Sequence, residues 1–438
     1  MTEYKEWLRN KGLDYRDGVL YFADMNTLEL AEQYGTPIYI TDEHIIRKRY
    51  RELKNLLDTE YKNNQIHYAV KANSNLAILK ILKSEGSGYD CTSQGEIFAC
   101  LKVGVDPKNI LYTGNMFTNK DFEFAVNNNV IINLDSVSQL DRLIKVHNKL
   151  SKQKNIISFR INPEFGAGHH AHTITAGKEI KFGILEDQVL DAYKLAQNAG
   201  FKKFGIHQHI GSGIINPKDF EKAAENYLSI VKTLASSLDI KFEFVDFGGG
   251  LGIPYKPEEE PLDIDIYRDM VIRPFKEIVE TGVIGTPTFK IEPGRFLCAE
   301  STIILTQINT IKNNGFKLFA GIDAGFNTLI RPTMYGSYHH IELCNKEGKE
   351  DLLEYDIAGP ICESGDIMGR KRTLPKLEEG DILAILDAGA YGFAMASSYN
   401  SRPRPGELLI NNKSVFKIRK AETLENLFEG QSIPKHLE

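Results

Sequence analysis

A chain of 438 residues is too long for one average domain and predicts two or three. Its 42% hydrophobic and 26% charged residues provide for sizeable cores, and a net charge of −6 argues against a nucleic-acid binder, which would normally show a basic face. The N-terminal MTEYKEWLRNKG is charged from its third residue and lacks an apolar h-region, and no apolar run reaches the roughly 20 residues of a membrane helix, so a cytoplasmic protein is expected.

In chain order, YGTPIYITDEH leads into a helical stretch, EHIIRKRYRELKNLL. From there strand-like runs recur: QIHYAV, GYDC, ILYT, VIINL, IISFRI, FGIHQHI, FEFVDF and TFKIEP. Helix-like stretches such as NLAILKILKSEG and FEKAAENYLSIVKTLASSL separate them. This alternation predicts a parallel (β/α)8 barrel; a doubly wound open sheet reads similarly, and the count of eight favours the barrel. Near residue 300 the rhythm changes to strands with little helix between them, from TIILTQINTIKNN to LLINNKSVFKIRKAE, with INNKS as a hairpin turn. The predicted division is an N-terminal segment, 1–42, whose TPIYI joins a β domain; a barrel, 43–298; and a C-terminal β-sandwich or β-barrel domain, 299–438.

Residues at the C-terminal ends of barrel strands face the active site. Lys71 stands there after QIHYAV, either as a snorkelling lysine or as one held for its amine. Asp90, Arg160, Asn162, His209, Gly248 and Glu292 occupy corresponding ends of later runs, which makes chance a poorer account of Lys71. Gly248, Gly249 and Gly250 follow a strand directly, as a phosphate-cradling turn does. Arg295 of EPGR, with Pro293 and Gly294, and Ser212 of HIGSG add anion-binding groups. His207 and His209 share a strand face, and GHHAH at 168–172 offers further metal ligands, so a metal-dependent barrel hydrolase is a rival reading. A lysine amine, a phosphate cradle and a carboxylate at another strand end together point to pyridoxal phosphate. Five scattered cysteines form no CxxC pair, which suits a reducing compartment; Cys91, Cys100, Cys298 and Cys344 read as small hydrophobes.

The ordered motifs HYAVKAN, YDCTSQGE, INP, HAHTITAGKEIKFGI, HIGSG, DFGGGLGIPY, IEPGR, DAGFNTLIRPTMYGSYHHI, GPICESGD and LDAGAYGFAMASSYNSRPRP run over nearly the whole chain. With them the chain resembles the fold-type III pyridoxal-phosphate decarboxylases, and among these the family acting on diaminopimelate. The resemblance implies a barrel followed by a β domain, and pyridoxal 5′-phosphate as cofactor. It implies Lys71 as the lysine bonded to the aldehyde, Asp90 as a further cofactor-binding residue, His209 stacked on the ring and Glu292 at the pyridine nitrogen. Ser212, Gly248 to Gly250 and Pro293-Gly294-Arg295 match the phosphate loops, and Tyr391 a contact to cofactor and substrate. Arg295, Arg331 and Tyr335 match the groups holding substrate carboxylates. Cys362 and Glu363 match a proton-donating thiol and a grip on the distal ammonium, both entering from the second subunit of a homodimer. The implied reaction is decarboxylation of meso-2,6-diaminopimelate to L-lysine and CO2. Arg331 before PTMYG favours a far carboxylate over ornithine- or arginine-type substrates, and Glu292, where racemase relatives carry arginine, favours decarboxylation. Ile180 and Gln94 depart from the family pattern, and a non-catalytic, decarboxylase-like binding protein is a further alternative.

Overall fold

Each barrel strand is a short run buried on both faces, as a parallel sheet covered by helices requires. The computed structural model describes residues 2–154, 156–163, 166, 175–177, 180–346 and 351–437. Eight parallel strands, β1 (Asn64–Ala69), β2 (Gly88–Cys91), β3 (Ile110–Tyr112), β4 (Ile131–Leu134), β5 (Ile156–Asn162), β6 (Lys203–Gln208), β7 (Phe242–Asp246) and β8 (Thr288–Ile291), pair in chain order. Pairing of β8 with β1, where Lys290 meets Gln65, closes the ring into a barrel. The helices between strands start where the sequence supplies caps. Asn75 accepts from the Ala77 N–H, Ser93 from Glu96, and Thr118 with Asp121 forms a capping box.

The chain divides into two compact units, one of 46–254 and 259–298 and one of 1–45, 255–258 and 299–438. The barrel is the former. Residues 255–258, read from the sequence as barrel, group with the other unit, where Arg331 lies over the Tyr255 ring at 4.8 Å.

In the second unit the N-terminal strand Ile38–Asp42 pairs into the β-domain sheet. It lies between Thr302–Asn313, antiparallel, and Gly406–Asn411, parallel, in a nine-stranded mixed sheet. Gly406–Asn411 returns as Ser414–Arg419 through Asn412 and Lys413, both at positive φ (49° and 63°), the geometry of a type I′ hairpin. A helix at Thr2–Asn10 and a three-stranded meander over 13–26 were not foreseen. Their apolar residues Leu8, Leu13, Leu20 and Phe22 pack with Ile40, Ile303 and Leu408, so this segment completes the β domain's core.

Candidate active site

β1 ends at Ala69, and Lys71 lies in the 3₁₀ turn Val70–Ala72 that follows it. Its Nζ donates to Asp90 Oδ2 at 3.2 Å from the second-last position of β2, and the lysine side chain is about one-third exposed while Asp90 is buried. The amine is thus tethered by a buried carboxylate yet reachable, which an inert snorkelling lysine would not need.

β8 delivers Glu292 just past its last residue, 4% exposed. Its Oε2 is 3.1 Å from His207 Nε2, and its Oε1 is buried with no hydrogen-bond partner among the described residues. Burial, reinforced by Asp90, pushes this carboxyl well above the usual carboxylate range, against the pull of Lys71, Arg160 and Lys290. A buried acceptor oxygen without a donor is costly on its own and is satisfied by a ligand N–H. The ring nitrogen of a pyridoxal group supplies one.

The loop after β7 is shaped by its glycines. Gly248 has φ of +70°, and a Cβ there would lie 2.3 Å from the Gln208 carbonyl oxygen. At Gly249 a Cβ would lie 2.4 Å from the Glu292 carbonyl oxygen. Only bare backbone fits between the ends of β6 and β8. Asp246 Oδ1 accepts from the Gly248 N–H at 2.9 Å, and the Gly249 N–H donates to His209 Nδ1 at 3.0 Å. The His209 imidazole is therefore an acceptor at Nδ1. Burial, with Arg160 and Lys71 nearby, holds its pKa well below the usual value, so the ring is neutral. Arg295, buried at the start of the short helix Arg295–Cys298, donates to Ser212 Oγ at 3.1 Å, which brings two predicted anion-binding groups together. The Pro293 carbonyl accepts from the Ala69 N–H at 3.3 Å, and at Gly294 a Cβ would meet Ala72 Cβ at 2.9 Å, so the EPGR turn lies directly against the Lys71 turn.

Four of the five predicted residues of the other unit fall into two local groups. Arg331 opens the short helix Arg331–Tyr335, is 2% exposed, and donates to His339 Nε2 at 2.8 Å and Ser337 Oγ at 3.3 Å. Tyr335, half-buried, closes that helix. Cys362 is exposed, whereas the other four cysteines are buried. The Cys362 N–H donates to Asn400 Oδ1, and Glu363 accepts from the Tyr399 hydroxyl, each at 2.8 Å. Tyr391 stands half-buried at φ of +57°.

The sequence paired His207 with His209 as possible metal ligands. Among the described residues, ligand atoms of His207, Asp246 and Glu292 do lie within 4.8 Å of one another. His169, His170 and His172 lie outside the described residues. The contact the sequence reading missed is His207 with Glu292; the H-x-H spacing identified the face but not the carboxylate on it.

Residues 43–299 match the family model described as pyridoxal-dependent decarboxylase, pyridoxal binding domain. The chain is 47% identical to diaminopimelate decarboxylase of Methanothermobacter thermautotrophicus, over 96% of this chain and 97% of that protein. It is 37% identical to the Archaeoglobus fulgidus diaminopimelate decarboxylase, over 96% and 99%. The crystal structure of the M. jannaschii diaminopimelate decarboxylase in complex with L-lysine superposes with a TM-score of 0.92 at 34% identity, covering 98% of this chain and all of that one. No helix among the described residues is long and apolar enough to cross a membrane. A barrel with a lysine tethered at one strand end, an unpartnered buried carboxylate oxygen at the next and a glycine loop against the latter agrees with these relatives: the chain belongs to the pyridoxal-dependent decarboxylases, in the diaminopimelate decarboxylase family.

Proposed function

We propose that this chain decarboxylates meso-2,6-diaminopimelate to L-lysine and CO2 in the cytoplasm, as a homodimer using pyridoxal 5′-phosphate. The observation that carries the cofactor assignment is the buried Glu292 Oε1 without a donor, in the same barrel as the accessible Lys71 amine. When bound, the cofactor supplies an electron sink for the carbanion left by departing CO2. Lys71 would supply the amine that bonds its aldehyde, and Asp90, hydrogen-bonded to that amine, would position it. Glu292 Oε1, buried without a donor, would receive the pyridine N–H. His209, fixed by the Gly249 N–H, offers a neutral ring face for stacking. The backbone of Gly248 to Gly250 and of Pro293-Gly294, with Ser212 and the Arg295 guanidinium, surrounds the phosphate.

Substrate recognition rests on Arg295, Arg331 and Tyr335 for carboxylates, with Tyr391 contacting cofactor and substrate. Arg331 is suited to this because His339 and Ser337 fix its fork in advance. Cys362 of one subunit would serve as the proton donor in the site of the other, and Glu363 would bind the distal ammonium there. The exposure of Cys362 keeps its thiol available for this. The test is to load the purified protein with pyridoxal phosphate and measure CO2 and lysine from meso-diaminopimelate, beside ornithine and arginine. Release of CO2 from diaminopimelate well above both comparators is expected. Preference for ornithine or arginine would overturn the substrate assignment, and no decarboxylation of any of the three would overturn the function.

A further inference from the structure

We propose that His207 is a positioning residue for Glu292: its Nε2–H holds one carboxylate oxygen so that the other is presented to the cofactor's ring nitrogen. The inference rests on the pyridoxal reading above and adds a residue to it.

His207 is fully buried in β6, and its Nε2 faces Glu292 Oε2 at 3.1 Å. Its Nδ1 has no hydrogen-bond partner among the described residues, so within them the ring hydrogen-bonds only to the Glu292 carboxylate. A neutral imidazole carries one N–H, and placing it on Nε2 gives a hydrogen bond to the facing carboxylate oxygen, whereas placing it on Nδ1 sets two acceptors face to face. Burial pushes the His207 imidazole down to about 4, so neutrality near pH 7 agrees with this tautomer. The groups facing Glu292 are His207, Asp90, Asp246, Lys71, Arg160 and Lys290. Of these, only His207 is hydrogen-bonded to the carboxylate in the structure.

The consequence is a division of labour between the two oxygens. With Oε2 bonded, Oε1 is the remaining acceptor, and a carboxylate stabilised by an N–H donor is better able to leave the shared proton on the ring nitrogen. Without the donor, the buried carboxyl becomes a stronger base and retains that proton. The ring is then neutral, the electron sink weaker and decarboxylation slower. An imidazole that merely filled space would leave the ring nitrogen's protonation unchanged.

The test uses full-length holoenzyme loaded with pyridoxal phosphate labelled with 15N in the ring, whose chemical shift distinguishes a protonated from a neutral nitrogen. His207→Phe retains the ring volume and loses both nitrogens; His207→Leu serves if the Phe variant does not fold. His207→Gln places an amide N–H near the position of Nε2. Expected are a protonated nitrogen in the parent and the Gln variant, and a shift toward the neutral value in Phe or Leu. The Phe or Leu variant should also lose about ten-fold or more in kcat, with Gln recovering most of it. A protonated nitrogen and parental kcat in the Phe or Leu variant would overturn the role of His207 while leaving the cofactor reading intact. A parent protein that binds no pyridoxal phosphate would overturn that reading, and this inference with it.

Discussion

Gly249 is the position where one added methyl group tests the site most directly. An alanine Cβ there would stand 2.4 Å from the Glu292 carbonyl oxygen and 3.2 Å from its carbon. Ordinary contact begins near 3.4 Å, so the two segments must part by roughly 1 Å. The obstacle is backbone, and no rotamer change relieves it. If the loop lifts, the Gly249 N–H leaves His209 Nδ1, and the 2.7 Å bond from the Glu292 N–H to the Gly248 carbonyl stretches. If the end of β8 gives way instead, the Glu292 carboxyl moves. Overpacking of this kind costs about 1–3 kcal/mol. A bound cofactor needs the original spacing, so its affinity should fall by about 10- to 100-fold. The measurement is a titration of cofactor-free enzyme with pyridoxal phosphate, with thermal unfolding of the cofactor-free protein alongside. Gly95→Ala is the control. It lies in the helix Gln94–Lys102, where a Cβ would find only Ser93 Oγ within 4 Å, at 3.7 Å, and should bind cofactor as the parent does. Parental affinity in Gly249→Ala would refute the claim that the glycine loop is a shaped cradle. Loss of affinity with cooperative unfolding retained would support it.

Lys71→Ala should lose both the visible absorbance of lysine-bound cofactor and all turnover; substantial activity without added amine would refute the assignment. Arg331→Met should raise KM for diaminopimelate by roughly 10- to 100-fold, from a charge-assisted pair of about 1.5–3 kcal/mol. An equal loss on ornithine, which has no far carboxylate, would make Arg331 structural. Mixing inactive Lys71→Ala with inactive Cys362→Ala under subunit exchange should recover roughly a quarter of parental activity, because a heterodimer has one site with both lesions and one with neither. No recovery despite efficient exchange would retire the shared site. Glu342 is buried, which raises its pKa, but the His340 hydrogen bond and the Lys346 charge overcome this and bring it from 4.5 to about 2. A carboxyl depressed on folding stabilises above its unfolded pKa and loses that contribution as pH falls through the folded one, here at most about 3 kcal/mol. Glu342→Gln should therefore lower Tm at pH 7, with the gap to the parent narrowing between pH 4.5 and 2; a gap independent of pH would refute the linkage.

The barrel was legible because each strand is an apolar run that ends in a polar residue, as Asp90, His209 and Glu292 do. The β domain's hairpin was legible because Asn412-Lys413 accepts positive φ. The N-terminal meander was missed although Asp17-Gly18, both at positive φ (48° and 81°), carried a hairpin signal between Leu13–Arg16 and Val19–Phe22. Those strands are only four residues each, too short for alternation to stand out. Arg331 was legible as a cation before a turn, but its clamp was not. His339 follows it by eight residues, and nothing in that spacing says that the ring turns back to the guanidinium while its Nδ1 donates to the Leu386 carbonyl at 2.7 Å.

The contact between His207 and Glu292 was hidden for a different reason. The residues are 85 positions apart, on β6 and just beyond β8, and these strands are not neighbours, since β7 lies between them. In a flat open sheet, side chains two strands apart stand about 10 Å from each other, too far for a hydrogen bond. Closing the sheet into a barrel turns them inward, where side chains from alternate strands share a layer. A reading that leaves the barrel and the open sheet both available cannot place imidazole against carboxylate. Once the ring closes, the same H-x-H spacing acquires a different meaning. His207 faces Glu292 within the barrel, and His209, past the end of β6, is tied to the glycine loop through Gly249. The metal reading arose from treating the two histidines as equivalent, and their separate hydrogen-bond partners show that they are not.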